Sequence, residues 1–201
     1  MRNFPEILIV EGIHHRDIKF RDALFSLREN DINEQSAIYI EKIYKDTKLP
    51  EIRNKCIKLL YNKHYAFLEN FFLFAYKKER YLDMKIIALR GLAQFLSEES
   101  ICLLIQKFNE TLVKRPEKTP YNYQEYELLK GKHALPYLID RYGYKCLKET
   151  LKITNKNYDR MPDAFKGHWT TDENGEITWL RSPEESSGMM SDFFEKLRWR
   201  K

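Results

Sequence analysis

Glycine and proline are scarce in this chain, seven of each in 201 residues. That shortage excludes the turn-dense pattern of sandwiches and barrels and favours long helices. No apolar run approaches the roughly 20 residues needed to cross a bilayer; the most apolar stretch, Phe67 to Tyr76, is interrupted by Glu69 and Asn70. Near the start, Ile7 to Val10 is a short apolar run flanked by Glu6 and Glu11, too brief for a secretory signal. The expectation is a cytoplasmic protein with no membrane partner. The three cysteines, Cys56, Cys102 and Cys146, lie 46 and 44 residues apart with no C-x-x-C. Neither a zinc site nor a redox pair is signalled. Each lies among Leu, Ile and Lys at helical spacing, so each is expected to be a reduced core cysteine that packs as a small hydrophobe. A P-loop, a G-x-S-x-G elbow and a dinucleotide fingerprint are all missing. His14 and His15 are adjacent and point apart on a helix or strand, and His64, His133 and His168 have no second ligand type at metal spacing. Asp46 and Asp83 start or precede helical patterns, where capping accounts for them. No catalytic residue, cofactor or metal is therefore expected.

What the chain does have is 43% hydrophobic and 32% charged residues, the balance of a folded globular protein rather than a disordered one. Its net charge of +5 is uneven. Residues 51–150 hold 18 basic against 12 acidic side chains, while the flanking segments are close to neutral. Such a mild excess suits an acidic protein partner or a nucleic-acid backbone and demands neither.

Internal similarity organises the first half. DALFSL (22–27), KCIKLL (55–60) and IALRGL (87–92) align with a small residue at Ala23, Cys56 and Ala88, at intervals of 33 and 32. One position on stand Leu24, Ile57 and Leu89, and three further Leu27, Leu60 and Leu92. Positions 0, +1 and +4 share one helical face. Between the copies lie other helical patterns, such as Ser36 to Tyr44 with Ile40, Ile43 and Tyr44 on one side. The unit is helix, turn, helix.

Lys48-Leu49-Pro50-Glu51-Ile52-Arg53-Asn54-Lys55-Cys56-Ile57-Lys58-Leu59-Leu60 resembles the start of the second helix of a HEAT repeat. Tyr81 to Leu92 is similar, with Asp83 placed to cap the helix, Lys85 where the family has Arg and Met84 where it has an aliphatic residue; the first copy departs further, with Lys19 and Phe20 there. The resemblance spans residues 17–108 and, loosely, 125–155. It implies an all-α fold, a short right-handed α-α superhelix of stacked HEAT-like helical hairpins over residues 1–158. Such units cannot bury their apolar faces alone and must stack. The segment Lys114 to Pro120 reads as a polar, proline-broken loop, and Ala134 to Leu138 as the opening of a further helix.

Residues 159–201 change character and form an appendage. Gly167 to Leu180 alternates apolar and polar residues around Asn174-Gly175, a strong hairpin signal. Ser182-Pro183-Glu184-Glu185 resembles a helix start, and Phe194 and Leu197 lie on an apolar side of the last stretch. All three tryptophans fall here. A lone hairpin is marginal in water, so the appendage is expected to pack back on the last repeat, either as a clasp or as a contact element.

Two functional classes follow. The first is a non-catalytic scaffold that recognises a protein partner through its helical repeat surface, in one form an immunity protein neutralising a toxin domain, in another a regulatory protein. The second is a nucleic-acid-binding HEAT-like protein, including an enzyme similar to the DNA alkylation-repair glycosylases. The residues singled out for binding are Arg53, Lys58, Lys85, Arg90, Trp169 and Trp179. Arg53 and Lys85 match the family position whose usual role is an intramolecular pair with a neighbouring acid. Lys58 and Arg90 fall at +2, opposite the core positions, where they form either a basic stripe or ordinary solvated charge. Trp169 and Trp179 are large anchors of the kind favoured at interfaces.

Overall fold

The computed structural model describes residues 4–118, 123–171 and 177–198. It is mostly helical, with one two-stranded antiparallel sheet near the C-terminus. The chain divides into two compact units, residues 1–80 with 84–96, and residues 81–83 with 97–201.

The first unit opens with a short 3-10 turn, Glu6–Leu8, followed by α1 (Ile18–Ser26), α2 (Glu34–Asp46), α3 (Pro50–Leu60), α4 (Leu68–Lys78) and most of α5 (Leu82–Leu92). Local chemistry sets these starts. The Asp17 carboxylate accepts the Phe20 N–H at 3.1 Å. Asn33 and Ser36 close a reciprocal cap on α2, each side chain accepting the other's backbone N–H at 2.9 and 2.8 Å. Pro50 opens α3 at a position that needs no N–H donor. Asp46 is the last residue of α2, and Asp83 is the second residue of α5, in its first turn; neither stands at an N-cap.

The aligned positions are all turned inward. Cys56, Ala88, Leu24, Ile57, Leu89, Leu60 and Leu92 are fully buried, Leu27 nearly so, and Ala23 is half-buried. Two ties recur between consecutive copies. Asn62, six residues past Cys56, donates to the Glu29 carboxylate at 2.9 Å, and Gln94, six past Ala88, donates to the Tyr61 carbonyl at 2.7 Å. Lys55 reaches back to the C-terminal carbonyls of α1, donating to Phe25 and Leu27 at 3.2 and 2.6 Å, where a cation also meets the negative end of the helix dipole. Gly91 lies against Phe72, so close that a Cβ there would stand 2.4 Å from the ring.

The second unit comprises α6 (Glu98–Lys118), α7 (Tyr123–Lys130), α8 (Leu135–Tyr142), α9 (Lys145–Asp159), a 3-10 turn (Asp163–Phe165), strands β1 (Trp169–Thr171) and β2 (Ile177–Trp179), and α10 (Pro183–Arg198). α9 is its centre, packed by α6, α7 and α8. α6 buries Ile101, Ile105, Phe108 and Leu112, spaced at one helical face. α8 ends at Gly143, whose φ of 66° supplies the left-handed cap.

The expected loop over Lys114 to Pro120 is helix as far as Lys118, with Pro116 inside α6; residues 119–122 lie outside those described. Pro116 removes the N–H that would reach the Leu112 carbonyl. The buried Asn157 side chain of α9 fills that place, donating to the Leu112 carbonyl at 3.0 Å. A partner 45 residues from Leu112 thus sustains a turn that local sequence would break. The cysteines also differ from expectation. Cys56 is a core residue, but Cys102 on α6 and Cys146 on α9 are half-buried and adjacent, with Sγ atoms 2.6 Å apart.

Candidate binding surface

Three of the four basic residues singled out in the first unit, Arg53, Lys85 and Arg90, are drawn into its interior contacts. Arg53 holds Glu79 with both Nε at 2.7 Å and one terminal nitrogen at 3.2 Å, and donates to the Lys48 carbonyl at 2.9 Å. Glu79 is itself buried and also accepts the Tyr44 hydroxyl at 2.6 Å. Burial beside this carboxylate pushes the Tyr44 phenol well above its usual range. Lys85 takes the corresponding place in the next copy. It donates to the Tyr76 carbonyl near the end of α4 and stands 5.0 Å from the Tyr76 ring centroid; burial lowers its pKa.

Arg90 corrects the stripe reading. It is 4% exposed, stacked 3.8 Å above the Tyr61 ring and donating to the Asn62 side chain at 2.8 Å. Lys58 is exposed. The two +2 positions therefore do not present cations on a common outer face. Position +2 is the helix flank, and Tyr61 and Asn62, just past the end of α3, offer Arg90 a ring and an amide that fold it inward.

His14 and His15 are accounted for locally. His14 Nδ1 accepts the Arg16 N–H at 3.1 Å, His15 stacks on Phe20 at 4.8 Å, and burial lowers the His15 pKa. They border an open cavity of about 570 Å³ with Asp46 and Lys48. Among the described residues no cluster of three or more His, Cys, Asp or Glu could hold a metal. Nor is any helix among them long and apolar enough to cross a membrane.

The C-terminal segment presents a different surface. β1 and β2 pair antiparallel with Trp169 opposite Trp179, Thr170 opposite Thr178 and Thr171 opposite Ile177; the Asn174-Gly175 turn lies outside the described residues. β1 is the docked strand. Lys130 on α7 donates to the Thr170 hydroxyl at 3.1 Å while standing 4.2 Å above the Tyr158 ring, and Gly167 lies so close to Tyr123 that a Cβ would meet its ring at 2.4 Å. Trp169 is accordingly half-buried. β2 is the outer strand, and Trp179 is 71% exposed.

Trp179 is nonetheless held. His168 stacks on it at 5.5 Å with an interplanar angle of 12°, and the His168 carbonyl accepts the Leu180 and Arg181 amides at 2.8 and 3.3 Å. Arg181 then contacts the Met189 sulfur of α10. A reciprocal cap starts α10, the Ser182 hydroxyl accepting the Glu185 N–H at 3.1 Å and the Glu185 carboxylate accepting the Ser182 N–H at 2.7 Å. Phe193 packs edge-on against Phe165 at 5.0 Å. Leu180, Phe194 and Leu197 remain substantially exposed, beside the charges of Glu195, Lys196 and Arg198. Trp199, the third tryptophan, lies outside the described residues. The sequence flagged Trp169 and Trp179 as a pair; the structure separates them into an inner anchor and an outer, presented ring. Leu180, Phe194 and Leu197 join that outer set, and the alternation and helical spacing of the segment were the signals for them.

Comparison with known proteins finds no family model, curated protein or solved structure that matches this chain.

Proposed function

We propose that this protein is a non-catalytic scaffold that binds a protein partner, and that its C-terminal hairpin and α10 supply the apolar contact. The observation that carries this reading is Trp179, an aromatic ring 71% exposed yet fixed on one face by His168. An exposed ring already restrained loses little freedom on docking, which is the property of a binding anchor. Leu180, Phe194 and Leu197, also exposed, add apolar surface to the same C-terminal segment. An immunity or regulatory role is one form such a scaffold takes.

The helices belong to the same proposal as HEAT-like hairpins stacked in a short right-handed superhelix. Inward burial at positions 0, +1 and +4 of three copies supports it, as do the matching ties from Asn62 and Gln94 to the preceding copy. The nucleic-acid reading needed Lys58 and Arg90 on one basic stripe, and Arg90 is engaged with Tyr61 and Asn62 instead.

The test is an affinity pull-down from lysate of the source cell with the full chain and with Trp179→Ala, each repeated after nuclease treatment. The expected result is one protein recovered in near-equal amount after nuclease, and at least about tenfold less of it with the variant, the loss typical of a central anchor. Recovery of nucleic acid released by raising salt, or capture indifferent to Trp179, overturns the proposal.

A further inference from the structure

The three cysteines occupy two different environments. Cys56 is fully buried in the first unit, and burial drives its thiol far above the ordinary range; it is sealed from reagents. Cys102, near the start of α6, and Cys146, the second residue of α9, are both half-buried. Their Sγ atoms stand 2.6 Å apart, closer than two thiols rest by packing alone and about half an ångström beyond an S–S bond. Both belong to the second unit, on two helices packed along each other. Side chains whose sulfurs already stand this close need little movement to close the bond, and the geometry of a disulfide is demanding enough that few residue pairs come so near.

We propose that Cys102 and Cys146 form a redox modification site, a thiol pair that a low-molecular-weight disulfide such as oxidised glutathione converts into an intramolecular disulfide joining α6 to α9. One cysteine, as its thiolate, attacks a sulfur of the small disulfide. A mixed disulfide forms and one small thiolate leaves, taking up a proton from water. The second cysteine gives its proton to solvent and attacks the sulfur of the first. The Cys102–Cys146 bond forms and the second small thiolate departs. Two protein thiols are oxidised and one small disulfide is reduced to two thiols, so electrons and protons balance. Burial and the neighbouring Cys102 hold the Cys146 thiol up at about 12, so Cys146 stays a protonated thiol at neutral pH until an oxidant arrives. The site is independent of the binding surface proposed above, and its failure would leave that reading standing.

The full chain is equilibrated with oxidised glutathione, denatured, alkylated and weighed, then mapped without reduction. The expected product loses two hydrogens, retains one alkylatable thiol at Cys56, and yields one peptide pair linked through Cys102 and Cys146. Closing so long a loop raises the thermal midpoint of the oxidised form by at least about 5 °C. Cys102→Ser and Cys146→Ser should each stop at a stable mixed disulfide on the remaining cysteine, whereas Cys56→Ser still forms the bond. Three alkylatable thiols after equilibration, a wild-type chain that stops at the glutathione adduct, or a link through Cys56 overturns the proposal. The wild-type measurement decides even where a serine variant fails to fold.

Discussion

Arg53 lies where a charge is costly to hold, since its side chain is 13% exposed and that of its partner Glu79 is 0%. Two ions taken out of water regain their desolvation cost only through close, multiple contacts, and here the carboxylate accepts from Arg53 twice and from Tyr44 once. Removing the cation strands the acid. Arg53→Met is therefore expected to lower unfolding free energy by roughly 3–5 kcal/mol, and the double variant Arg53→Met/Glu79→Leu to regain most of that loss. Urea denaturation midpoints of the four proteins of the cycle decide it. A loss below about 1 kcal/mol for the single variant would mean that the pair is solvent-screened like a surface ion pair.

Within the elements, Pro116 and Asn157 make a matched pair that neither local sequence discloses. Asn157→Ala leaves the Leu112 carbonyl without its donor, at an expected cost of roughly 1–3 kcal/mol. In a Pro116→Ala background, residue 116 regains its N–H and supplies the Leu112 carbonyl itself, so the same Asn157 change should cost less than half as much. Equal costs in both backgrounds, by chemical denaturation, would show that Asn157 acts through packing alone. The contrast explains what could be read in advance. The inward faces of α1, α3 and α5, the proline start of α3 and the Ser182 cap all rest on residues within a few positions of one another, and periodicity or capping chemistry exposes them. The continuation of α6 past Pro116, the inward fold of Arg90 onto Tyr61, and the meeting of Cys102 with Cys146 each rest on a partner 28 to 45 residues away. No local pattern carries such a contact. The candidate surface fell between these cases: its tryptophans stood out by residue type, but their division into anchor and presented ring depended on which strand docks against α7.

At the scale of the whole molecule, charge has to be weighed by availability as well as by count. The excess of basic residues lies in residues 51–150, and several of those cations are already engaged within their own units. Arg53 and Arg115 hold buried carboxylates, Lys55 and Lys85 cap helix carbonyls, Arg90 covers Tyr61, and Lys130 joins Thr170. A cation so held cannot track a phosphate backbone without breaking the contact it makes in the fold. Binding to a polyanion should consequently be weak and involve few displaced counterions. Titrating a 20-base-pair duplex of mixed sequence against the full chain over a range of salt, a log–log slope no steeper than about −2 is expected, whereas a protein making 6–10 phosphate contacts shows a slope of about −5 to −9. The gentle slope fits a chain several of whose basic side chains are engaged in contacts within its own fold, as the proposed protein-binding role requires. A slope in the steeper range, with tight binding at low salt, would mean that Lys58 and the other exposed lysines form a phosphate-tracking surface despite the burial of Arg90, and the protein-partner reading would give way to a nucleic-acid one.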